Sequence, residues 1–224
     1  MATATQKLSL IAAAGAALSL VATAAQASPR ATQYRITVKN VTAGNVVSPP
    51  LVVAHAPGYK LFNVGEAASP GIAMIAETGG TATLESELAT ERYVIATSKA
   101  EGGPVRAGQE TVIEISVPSN YVYFGAELNL AAMIGRSNDS FVSLGKAVSL
   151  RSVRRGQPMV IALDNFDAGS EENTGNVADF GPGGHPTDAA EGLISYDRGL
   201  NLRGDAPQTF AWGPTVAIIT IEQI

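Results

Sequence analysis

The 224-residue sequence contains no cysteine, only two histidines, one tryptophan, and 16% charged residues. Without cysteine there is neither a disulfide framework nor a thiolate metal site, so stability has to come from a core, an oligomer or a bound ion. His55 and His185 are too few to hold zinc by themselves. No long basic run is present and the net charge is −5. That balance argues against nucleic acid as a partner and against simple electrostatic docking to anionic lipid. Beyond residue 27 there is no apolar run long enough to cross a bilayer.

The scarcity of charge is most marked at the start, where Lys7 is the only charged residue among the first 27. It precedes the apolar "LSLIAAAGAALSLVATAA" and then Ala25-Gln26-Ala27. A basic residue, an apolar stretch and an A-x-A site describe a secretory signal peptide over 1–27, with an uncleaved anchor as the alternative. Removal leaves residues 28–224 as one acidic domain, net charge −6 once Lys7 is gone, secreted or periplasmic.

What remains is rich in short alternating or apolar runs: "YRITVKNV" at 34–41, "LVVAHA" at 51–56, "RYVIATS" at 92–98 and "TVIEISV" at 111–117. Further strand candidates are 121–134, 141–144, 158–163 and 215–223, separated by turn chemistry such as "EGGP", "VPSN" and "RRGQP". Two segments have a helical pattern. Ser69 caps a first one with Pro70 in its first turn and Gly79 as its stop, and "TATLESELA" forms a second. The fold class expected is all-β, an antiparallel β-sandwich with a short helical insertion between early strands.

The stretch "LDNFDAGSEENTG" at 163–175 gathers Asp164, Asp167, Glu171 and Glu172. Such crowding raises carboxylate pKa values unless a cation or a fold constraint offsets the repulsion. An EF-hand loop starting at Asp164 would place ligands at Phe166, Ala168 and Gly175, so that motif is excluded. A sandwich site instead draws ligands from separate loops at one end, and "IGRSNDSFVSL" supplies Asn138 and Asp139 in a turn between strand candidates.

"SNDSFVSL" and "DAGSE" together resemble the paired motifs of the spondin domain, the N-terminal module of F-spondin and mindin. In that family a Pro/Ser-x-x-Asp-x-x-Val-Gly turn precedes Asp-Ala-Gly-x-Asp. Here Asp139 and Asp167 lie 28 residues apart, and Glu171 replaces the final Asp. "GYKLFNVGEAASPGIAMIAETGGTATLESEL" is similar to the family's LF-x-x-GE-x-ASPG block, and "FAWGPTVAIITI" to its closing strand.

The resemblance implies a single calcium-binding β-sandwich whose metal ligands are Asp139, Asp167 and Glu171. It also implies a non-enzymatic role in adhesion or in binding a partner: an extracellular glycan, a matrix protein or a lipid headgroup. Hard oxygen ligands on loops suit Ca²⁺, although the longer Glu171 arm departs from the family pattern. Two alternatives stand beside it: a secreted hydrolase using His185 near Asp179 and Asp188, and a scaffold whose metal is purely structural. No G-x-S-x-G elbow supports the hydrolase. His55 is read as a satisfied structural residue and Trp212 as core. Arg203-Gly204-Asp205 is read as an ordinary turn rather than an integrin ligand, and Arg151, Arg154 and Arg155 as a solvated turn.

Overall fold

A computed structural model of the chain describes residues 30–182 and 190–224. The strands in chain order are β1 (Ala31–Asn40), β2 (Val46–Val47), β3 (Leu51–His55), β4 (Val94–Lys99), β5 (Val105–Arg106), β6 (Glu110–Pro118) and β7 (Glu127–Met133). They continue with β8 (Ser140–Ser143), β9 (Val148–Ser149), β10 (Met159–Ala162), β11 (Asp164–Asp167), β12 (Ser195–Tyr196) and β13 (Ala217–Gln223). Helices α1 (Pro70–Thr78) and α2 (Ala82–Thr90) lie between β3 and β4, and the short α3 (Ser119–Tyr123) joins β6 to β7.

One sheet has the order β10-β13-β1-β6, and a second runs β12-β11-β8-β7-β3-β4 with β9 added beside β7. A small ribbon pairs β2 with β5, and the ladders in all three are antiparallel. Period-two alternation explains the first sheet. Tyr34, Ile36 and Val38 of β1 point inward beside Ile113, Ile115 and Val117 of β6 and Ile219 and Ile221 of β13. Their facing partners include Val52, Leu128, Leu130 and Val142.

The unbroken apolar run of β3 has a different cause. Val52 and Ala54 enter the inter-sheet core, whereas Leu51 and Val53 face the helices with Ile72, Ile75, Leu84 and Leu88. A strand covered on both faces needs no polar alternation. The fold is therefore an all-β sandwich with the helical insertion laid over one sheet. Phe62 seals the cluster beneath the helices, edge-on to Phe141 at 5.1 Å and to Phe166 at 4.8 Å.

The α1 boundaries follow the sequence signals. Ser69 accepts the Ile72 N–H at 3.2 Å, Pro70 opens the helix, and Gly79 ends it at φ +71°. Glu87 of α2 then clamps that N-terminus, accepting the Gly71 N–H at 2.7 Å and the Ser69 hydroxyl at 2.8 Å.

Two sequence expectations are corrected. Residues 121–134 are not one strand. Residues 119–123 form α3, because only Val122 of that apolar segment packs on the core while its neighbours cross from one sheet to the other. Nor is 163–175 one acidic loop. Asp164–Asp167 is strand β11, which sets Asp164 three residues along the sheet from Asp167, at the other end of the strand.

Replacing Glu87 with Ala removes two acceptors from the α1 N-terminus. It is expected to lower stability by about 1–3 kcal/mol, against about 1 kcal/mol for Ser69→Ala, measured by urea unfolding. Equal and negligible effects would refute the clamp.

Candidate metal centre

The register of β8 on β11 builds the site. Asp167 pairs with Ser140 and Phe166 with Phe141, so the next position past the ladder sets Asp139 opposite Ala168. The Ala168 N–H donates to the Asp139 carbonyl at 3.1 Å. Gly169 then turns the chain at φ +67°, with the position of a Cβ only 2.6 Å from the Leu193 carbonyl oxygen. A side chain has no room there and would also meet an unfavourable backbone conformation.

The turn delivers three donors to one oxygen of Asp139. The Ser170 N–H at 2.7 Å, the Ser170 hydroxyl at 3.1 Å and the Glu171 N–H at 2.9 Å all reach Oδ2. Asp167 Oδ1 accepts the Gly169 N–H at 2.8 Å. The two sequence motifs thus meet, as a sandwich site requires. Asp139, Asp167 and Glu171 are 1%, 5% and 8% exposed.

Burial in low dielectric is the main force on their protonation. It raises the Asp139 carboxyl against the opposing effect of its amide donors, with Glu191 adding repulsion. It raises Asp167 to about 7, reinforced by Asp139, Glu191 and Asp197. Glu171 also rises to about 7, from burial and then from Glu77, Asp139 and Asp179. Asp139 therefore stands between two carboxylate groups and repels both. The described ion pairs, Arg35–Glu114 and Lys99–Glu85, involve none of these acids.

Asp197 is a member of this end that no sequence motif signalled. Burial raises it, while the Trp212 indole N–H, the Gly199 N–H and the Ser140 hydroxyl donate to it. Trp212 is partly buried against the core and spends its one polar atom here. Asn138, beside Asp139, carries a buried Oδ1 with no hydrogen-bond partner.

The residue types are the hard oxygen donors that calcium takes. Among the described residues no donor reaches the Glu171 carboxylate, Asp139 Oδ1 or Asp167 Oδ2. Yet no three of His, Cys, Asp and Glu in that set stand so as to enclose an ion. The donor chemistry fits; a closed cage is not preformed.

The remaining candidates separate. Asp164 accepts the Gly145 N–H at 3.1 Å, far from this centre, and Glu172 is exposed. His185 and Asp188 lie outside the described residues. His55 is buried with Nδ1 bonded to the Ala56 carbonyl, but Nε2 has no partner, so it is only half satisfied. Arg203 lines a cleft of about 560 Å³ with Asp167, Glu191 and Arg198. Asp205 is held by the Val177 N–H at 2.8 Å, and Gly204 packs on the Gly175 backbone. The Arg-Gly-Asp segment is thus knit into neighbouring loops.

A family model, Spondin_N, matches residues 39–179, more than half of the chain and including Asp139, Asp167 and Glu171. The chain belongs to the spondin N-terminal domain family. No curated protein matches it. In this spondin domain, β13, Asp197 and Trp212 lie beyond the matched segment, and they complete both the first sheet and the acidic end.

The raised carboxyls set a pH dependence. Below about pH 4 both folded and unfolded chains are protonated there. Between about 4 and 7 the unfolded chain ionises while folded Asp167 and Glu171 still hold protons, so stability falls as pH rises through that window. In chelator, the wild-type urea midpoint is expected to fall over this range more steeply than that of Asp167→Asn. Parallel curves would show that Asp167 is not perturbed.

Proposed function

We propose that the protein is an exported, non-enzymatic spondin domain that binds one calcium ion through Asp139, Asp167 and Glu171 and mediates adhesion to an extracellular or cell-surface partner. The observation that carries this reading is the meeting of three buried carboxylates from two motifs, which form no ion pair with Lys or Arg among the described residues, although Arg198 and Arg203 line the cleft beside Asp167. A divalent cation offsets the repulsion between them directly. Asp139 divides its oxygens: Oδ2 shapes the loop, while Oδ1 is left for an ion. Glu171, one methylene longer than the family's Asp, has the reach to close on a site that is open without metal.

Export rests on the apolar residues 8–25 and the Ala25-Gln26-Ala27 site. Among the described residues no helix is long and apolar enough to cross a membrane. The non-enzymatic reading rests on the sequence, which offers no nucleophile elbow for His185 to serve.

Calcium binding to the folded state alone adds roughly 2.7 kcal/mol when the ion is a hundredfold above Kd. Wild type is therefore expected to melt several degrees higher in calcium than in chelator. Asp167→Asn should lose most of that difference while remaining as stable as wild type, or slightly more stable, in chelator. Asp164→Asn, at the far end of β11, should keep the full shift. A wild type that melts identically in both buffers defeats the calcium reading.

A further inference from the structure

The end of the sandwich opposite the carboxylates has the reverse character. Helix α3 is pinned by Val122 against the core, and its other large side chains face solvent. Tyr121, Tyr123 and Phe124 are 46%, 68% and 71% exposed, with Tyr123 and Phe124 edge-to-face at 5.4 Å. Three adjacent aromatics held out by a fold with a well-filled core mark an interaction surface.

The surroundings indicate what covers it. The short segment at 150–152 packs beside α3, and the Arg151 guanidinium lies 5.7 Å from the centre of the Tyr123 ring. Exposed Arg154 and Arg155 follow in the turn leading to β10, whose first residue pairs near the end of β13. Exposed Lys60 and Lys146 flank the adjoining cleft between the 58–64 loop and residues 144–147. Neither of the described ion pairs uses any of these cations. Three acids reach this end as well: Glu127 and Asp164, which accept the Gly58 and Gly145 N–H at 3.4 Å and 3.1 Å, and Glu222, which lines a cleft with Arg155. Around α3 itself Arg151, Arg154 and Arg155 outnumber the acid beside them, Glu222, in a chain that is acidic overall.

We propose that this end docks on an anionic bilayer surface, with Tyr121, Tyr123 and Phe124 entering the headgroup layer and Arg151, Arg154 and Arg155 meeting lipid phosphates. Aromatic rings with a polar edge favour that interface, and basic side chains beside them supply the attraction to negative headgroups. The overall acidity of the chain argued against lipid, but attraction decays within about a Debye length, so the local pattern governs. Arg30 adds a further cation at this end, its carbonyl accepting the Ser119 N–H at 2.7 Å. The surface is separate from the carboxylate centre, so binding needs no calcium.

The test is co-sedimentation of the exported protein with vesicles of phosphatidylcholine alone or with roughly one third phosphatidylglycerol, in chelator. Binding is expected only to the anionic vesicles, weakening as salt rises. The pair Tyr123→Ser/Phe124→Ser and the pair Arg154→Glu/Arg155→Glu should each lower it about tenfold or more. Val160→Ser, which removes an exposed apolar side chain from the four-stranded sheet, should leave it intact. Far-UV circular dichroism confirms that each variant is folded. Equal binding to neutral vesicles, binding lost in chelator, or indifference to both pairs overturns the proposal. So does a dimer in sedimentation velocity that disappears with Phe124→Ser, which would assign the surface to a second copy.

Discussion

One buried carboxylate, that of Asp139, organises the acidic end. Three donors from residues 170 and 171 converge on its Oδ2, and its own carbonyl extends the β8–β11 ladder by one more bond to Ala168. Remove that acceptor and three donors lose their partner in a place water hardly reaches, which is among the costlier defects a fold can carry. The same carboxylate raises the proton affinity of Asp167 and Glu171 on either side. Asp139 thus holds the loop in shape while keeping it electrostatically strained.

This division also accounts for the motif chemistry. Asp167 begins the turn and receives the Gly169 amide. Ala168 continues the ladder, and Gly169 passes under Leu193 where a Cβ cannot fit. Each position of Asp-Ala-Gly is set by backbone geometry before any metal enters the account. The final carboxylate, Glu171, lies past that constrained turn, and within the Asp-Ala-Gly-x-Asp motif it is the position at which this chain departs from the family pattern.

Most of the architecture was legible because the strands that face solvent alternate and the helices carry explicit start and stop residues. The misreadings have physical causes. Residues 121–123 carry strand-forming aromatic and branched side chains, yet they sit where the chain must cross between sheets, and position overrode propensity. Asp164 looked like a member of an acidic loop because sequence proximity hides a strand's two ends, three residue steps already separating them by about 10 Å along the strand. The pairing of the two acidic motifs was readable through the family resemblance. The contribution of Asp197 and Trp212 was not, since their contact with Ser140 depends on long-range packing that leaves no local pattern.

The four-stranded sheet places β13 directly beside β1, so its centre is made from the first and last described strands. During synthesis β1 can pair with β6 once residue 118 is made, but its other neighbour, β13, is the last described strand to appear, and until then the sheet lacks half its centre. Loop closure on that scale makes folding slow and late rather than progressive. A chain built in this way cannot close its four-stranded sheet until residues 217–223 are available, so the sandwich is completed from its last described strand inward.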